Sequence, residues 1–77
     1  MSKNELRKHS EYQRAYNKIV SYPTGFRFHV PYEDMPRPLY NAMCILLDDC
    51  QRDALIKSVS FDINLNGEIT NECFERI

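Results

Sequence analysis

The sequence predicts an α+β fold: a small two-layer α/β sandwich in which helices cover a sheet of two or three strands. Two observations predict it. Apolar residues recur at helical spacing over residues 4–20 and 38–54, and they alternate at strand spacing over residues 26–30 and 57–65. The expected order is α-β-α-β, followed at residues 68–77 by a hairpin strand or a short helix. A chain of 77 residues makes a single small domain.

In the first helix Leu6, His9, Tyr12, Ala15, Tyr16, Ile19 and Val20 form one stripe. Lys3, Arg7, Arg14 and Lys18 lie on the other side with Glu11 among them, spaced for Arg7–Glu11 and Glu11–Arg14 pairs. Tyr22-Pro23-Thr24-Gly25 ends the helix, because proline cannot continue it and glycine suits a turn.

The next stretch, TGFRFHVPY, runs from Thr24 to Tyr32. Gly25, Phe26 and Phe28 fit the pattern of an RNA-recognition strand, in which two aromatics stack on bases. Thr24, Arg27 and His29 depart from that pattern, Pro31 stops the strand, and a long helix stands where the motif begins with a strand. Phe26, Phe28 and Val30 are therefore expected to face a core. Each such Phe contributes roughly 1.5–3 kcal/mol when buried. Arg27 and His29 are expected to face outward.

Glu33 to Pro38 reads as a turn, with Pro36 or Pro38 at the first helical position. Leu39, Met43, Leu46, Leu47, Cys50 and Ala54 then make one helical face, widened by Tyr40, Cys44 and Ile45. No Gly or Pro stops this helix, and its end is placed near Ala54. Val59, Phe61, Ile63 and Leu65 follow on one strand face, opposite Ser58, Ser60, Asp62 and Asn64. Both strands' apolar faces are expected to lie under the stripe of residues 39–54. If the strands are parallel neighbours, their crossover is right-handed.

Asn66-Gly67 is a hairpin signal. Beyond it Thr70 can cap a helix, with Ile69 and Phe74 as a hydrophobic staple and Glu72 in the first turn. A brief pairing followed by a short helix is the expectation. A sheet this small is marginal alone, which suggests a homodimer joined at an open sheet edge.

Net charge is −1, but it is unevenly spread. Residues 1–31 hold six Lys and Arg against Glu5 and Glu11, a net of +4. Residues 32–77 hold four against nine acids, a net of −5. This split suits either two mutually attracting surfaces or a nucleic-acid face. Stretches of about 18 apolar residues are absent, so no membrane partner is expected. The polar start MSKNELRKHSEYQ does not read as a secretory signal. Three irregularly spaced cysteines read as free thiols in a reducing, cytoplasmic setting.

No catalytic residue, metal site or cofactor is expected. Cys44 and Cys50 lie about 240° apart around a helix, and no C-x-x-C or H-x-x-x-H pair is present. A Cys–His pair would need His9 or His29 brought to Cys73 by the fold. With two glycines, there is no phosphate-cradling loop.

Three sets of residues are candidates for binding. Tyr32, Met35, Arg37 and Tyr40 in the aromatic-proline turn suit a protein partner, since Tyr, Met and Arg are enriched at interfaces. Lys3, Arg7, Arg14, Lys18 and Arg27 suit phosphates. Asp48, Asp49 and Asp53 form an acidic face that suits a basic partner. The function expected is that of a small cytosolic, non-enzymatic interaction protein that binds and regulates or inhibits a larger protein. Bacterial and phage genomes commonly encode such accessory proteins. The alternative is a nucleic-acid-binding module using the basic helix face.

Overall fold

The computed structural model describes residues 2–77. It contains three α-helices, α1 (Lys3–Arg7), α2 (Ser10–Ser21) and α3 (Arg37–Arg52), and three strands, β1 (Arg27–Val30), β2 (Ile56–Ile63) and β3 (Ile69–Arg76). A 3-10 turn at Tyr32–Asp34 joins β1 to α3. The strands form one antiparallel sheet in the order β1-β3-β2. The molecule is a small α+β fold with an open sheet, and no described helix is long and apolar enough to cross a membrane.

The stretch expected as one helix over residues 4–20 is two. Lys8 is still helical, but His9 turns extended at φ −65°, ψ 140°, and its Nδ1 accepts a hydrogen bond from the Glu11 amide at 3.2 Å. The imidazole thus serves as the N-cap of α2. The break turns α1 toward α3, and both α1 and α2 pack against α3. It also moves Arg7 off the face it would share with Glu11. Glu11 pairs instead with Arg14, at 3.7 Å.

α3 begins one residue after Pro36 and carries Pro38 in its first turn, where absent amide hydrogens leave nothing unpaired. It ends on an unusual residue. Ala54 has φ +59°, and the amide of Leu55 reaches back to the carbonyl of Cys50 at 2.9 Å. This is a Schellman closure, normally built on glycine because a Cβ is disfavoured in the left-handed region.

Residues 69–76 are strand throughout, so the short C-terminal helix expected after a brief pairing is not formed. Pairing on both sides accounts for this. β3 bonds to β1 from Arg27↔Glu75 to Val30↔Glu72 and to β2 from Ile56↔Arg76 to Ile63↔Ile69. The hairpin closes over residues 64–68, with Gly67 at φ +81° and the Asn64 side chain accepting the amides of Asn66 and Glu68. β1 and β2 are not neighbours, as β3 lies between them.

The helix-facing side of the sheet carries Phe28 opposite Phe74, with ring centroids 5.8 Å apart. Phe74, Val30 and Ile56 pack there with Ala42, Leu46, Leu47 and Cys50 of α3 and Tyr12 and Ile19 of α2. Phe28 is half-buried, as expected, and belongs to this packing. Phe26 precedes β1 and remains 42% exposed, its ring stacked on Tyr22 at 4.4 Å.

β2 departs most from expectation. Only Ile56, at its start, is buried; Phe61, Ile63 and Leu65 are 56%, 59% and 106% exposed. β3 takes the central position in the sheet and leaves β2 at the edge. A bulge at Val59, between the pairs Ser58↔Phe74 and Ser60↔Cys73, shifts the alternation midway and turns Phe61, opposite Glu72, to the helix-facing side, where it stays uncovered.

Replacing Ala54 with glycine should relieve the left-handed strain, which costs roughly 1–2 kcal/mol for a residue with a Cβ. Part of that gain is offset by the greater freedom of glycine in the unfolded chain. The expected net gain is about 0.5–1 kcal/mol, a rise of roughly 2–8 °C in melting temperature. A melting curve of Ala54→Gly followed by circular dichroism checks this, and an unchanged or lower midpoint would contradict it.

Candidate functional site

The aromatic-proline turn is built by local chemistry. Pro31 ends β1, the amide of Asp34 bonds the carbonyl of Pro31, and the amide of Met35 bonds that of Tyr32, both at 3.3 Å. Met35 and Pro36 then run extended into α3. Tyr32 fixes the turn to the sheet: its hydroxyl donates to Glu72 Oε1 at 2.9 Å, while Ser58 Oγ donates to Glu72 Oε2 at 2.8 Å. Glu72 on the central strand therefore ties both the turn and β2. Burial, and then the hydrogen bond to Glu72, push the Tyr32 hydroxyl well above its usual pKa, so it stays a donor.

Tyr40 meets Tyr32 edge to face, with centroids 5.8 Å apart and planes at 72°, and the Arg37 guanidinium lies 5.5 Å from the Tyr40 ring centre. All four residues expected at a protein contact, Tyr32, Met35, Arg37 and Tyr40, line one open groove of about 560 Å³. Its other side comes from the hairpin, through Ile69 and Thr70. Glu33, Glu68 and Glu72 also reach it. The groove thus offers two aromatic rings and two apolar side chains beside one guanidinium and three carboxylates. Such a lining suits an apolar side chain with a basic neighbour.

Three of the five phosphate candidates stand beside carboxylates. Arg7 is held by Asp49, Arg14 lies near Glu11 and Arg27 is paired with Glu75 at 2.9 Å. Lys3 and Lys18 are exposed. Glu75 also accepts Lys57 at 3.2 Å, and the hydrogen bonds from Arg27 and then Lys57 lower its pKa.

The acidic candidates are divided as well. Asp48 pairs with Arg52 at 2.8 Å, and Asp53 caps the end of α3. Asp49 turns inward instead. Its two oxygens take Arg7 Nε at 2.8 Å and Nη2 at 2.9 Å, and Tyr12 donates its hydroxyl to the same carboxylate at 2.7 Å. The Arg7 hydrogen bonds, helped by Tyr12 and opposed by burial, hold Asp49 down to about 2. Burial, then the bond to Asp49, pushes Tyr12 up to about 12. This cluster binds α1 and α2 to α3 and acts as a structural joint.

Among the described residues no three His, Cys, Asp or Glu side chains gather so as to hold a metal ion. The fold does bring His29 opposite Cys73 on the outer sheet face, with Asn71 Nδ2 3.4 Å from His29 Nδ1. Cys73 is only 6% exposed, which shields its sulfur from an incoming substrate. Cys50 is buried too, and burial pushes its thiol up to about 11. Cys44 is exposed beside the groove.

Compared with models of known families, with curated proteins and with solved structures, the chain finds no match.

Asp49 makes stability depend on acid pH. Its folded pKa of about 2 lies below the ordinary 3.8, so its contribution is complete above the ordinary value and is lost as the pH falls through about 2. The full shift corresponds to about 2.5 kcal/mol, and the part-exposed Arg7 partner reduces this to about 1–2 kcal/mol. Asp49→Asn should lose that amount at neutral pH and flatten the fall in urea midpoint between about pH 4 and about pH 2. An unchanged acid limb in the variant would show that the joint does not carry this dependence.

Proposed function

We propose that this chain is a small cytosolic, non-enzymatic interaction protein that binds and regulates or inhibits a larger protein. The observation that carries the reading is the groove in which Tyr32, Met35, Arg37 and Tyr40 converge with Ile69 and Thr70 of the hairpin. Tyr32 is pinned by Glu72, and Tyr40 is bracketed by Tyr32 and Arg37, so the aromatic surface is largely fixed before a partner arrives. Preorganised aromatic and arginine side chains are the groups that dominate binding energy at protein interfaces. The carboxylates of Glu33 and Glu68 favour a partner segment that is basic beside its apolar anchor.

A photo-crosslinking residue placed at Arg37 should capture a protein from a nuclease-treated lysate of the source organism. The same residue at Asn17, exposed on α2, should not. Combining Met35→Ala and Tyr40→Ala should reduce the adduct by at least about tenfold. No adduct from position 37, or equal capture from both positions, would overturn the reading. Adducts lost on nuclease treatment would favour a nucleic-acid-binding module instead.

A further inference from the structure

The two edges of the sheet are finished differently. β1 is four residues long and ends at Pro31. Shortness and proline are common means of making an edge unreceptive. β2 is eight residues long, contains no proline, and has a sheet neighbour only on its β3 side. Val59, Phe61 and Ile63 on it are 39%, 56% and 59% exposed.

We propose that β2 pairs antiparallel with β2 of a second copy of this chain, joining two three-stranded sheets into one. The distribution of charge along β2 selects a copy of itself. Lys57 stands opposite Glu75 and Asp62 opposite Asn71, so the bulge between them leaves Lys57 and Asp62 on the same outer face. A two-fold axis passing near Val59 and Ser60 sets Lys57 of each strand opposite Asp62 of the other. The same operation sets Ile56 opposite Ile63 and Ser58 opposite Phe61 on the helix-facing side. Two equivalent ion pairs form, no like charges meet, and the uncovered apolar side chains of both copies meet between the two helical layers. This is the self-complementarity that a two-fold interface requires. Lys57 can turn toward the neighbouring Asp62 because Arg27 also serves Glu75, at 2.9 Å. The pairing does not depend on the partner assigned to the groove.

Sedimentation equilibrium of the full chain, from micromolar to millimolar concentration, should show a monomer–dimer equilibrium. Asp62→Lys and Lys57→Asp should each weaken association by at least about tenfold, because like charges then face each other twice. Mixing the two variants restores opposite charges at both positions and should return association to near the wild-type level. Hydrogen exchange at the β2 amides that β3 leaves unbonded should slow as the dimer forms.

A wild-type chain that stays monomeric throughout the range would overturn the proposal. So would single variants that associate as tightly as wild type, a mixture no tighter than its components, or a dimer whose β2 amides stay fast. Lys57→Asp faces Glu75, and if that variant does not fold, Phe61→Lys provides the second test. It should weaken association comparably, and undiminished association would be equally decisive against the pairing.

Discussion

Phe74 sits fully buried, stacked beside Phe28 of β1 and clustered with Ala42, Leu46, Leu47 and Cys50 of α3, on the strand paired along both edges. That placement constrains the rest of the molecule. With β3 in the middle, β1 and β2 each pair along one of its edges, and both are left at the outside of the sheet. The tie from Tyr32 to Glu72 also runs through β3, so the strand that completes the core sets the position of the aromatic turn as well. Core and groove are two faces of one constraint.

The polar contacts follow a similar economy. The pairing of Arg7 with Asp49 removes one charge from the basic front and one from the acidic back, and joins the halves of the chain that the charge pattern sets apart. Glu75 does the same on the outer sheet face by accepting both Arg27 and Lys57. Much of the charge split in the sequence is therefore spent inside the fold. Glu33 and Glu68, which take no part in these pairs, give the groove its acidic character.

The layout was legible in the sequence wherever spacing carries the information. The stripe from Leu39 to Cys50, the alternation around Phe28 and the Asn66-Gly67 turn each correspond to an element, and Tyr32, Met35, Arg37 and Tyr40 line one groove. The rest depended on long-range geometry. Histidine is not a usual helix cap, so nothing at His9 announced the break. Ala54 gave no sign of a left-handed stop, since glycine normally marks that position. Perfect alternation from Val59 to Leu65 concealed a bulge, because a bulge is set by the partner strand as much as by the bulged one. Asp49 looked like part of a solvated face until the break brought Arg7 within reach. The hairpin side of the groove was missed because residues 69–76 could be read as either strand or helix.

The central position of β3 also shapes how the chain acquires its structure. Its contacts with β2 close a short loop at residues 64–68, whereas its contacts with β1 join Arg27 to Glu75 across most of the sequence. Local hairpins form in about 1–10 µs, while pairings between distant segments wait on costly loop closure. The hairpin is therefore the natural nucleus, and β1 with its attached aromatic turn is added late. During that interval the β3 edge that will receive β1 stands open beside the apolar row of β2. The order of assembly makes the nascent hairpin the stage most exposed to aggregation.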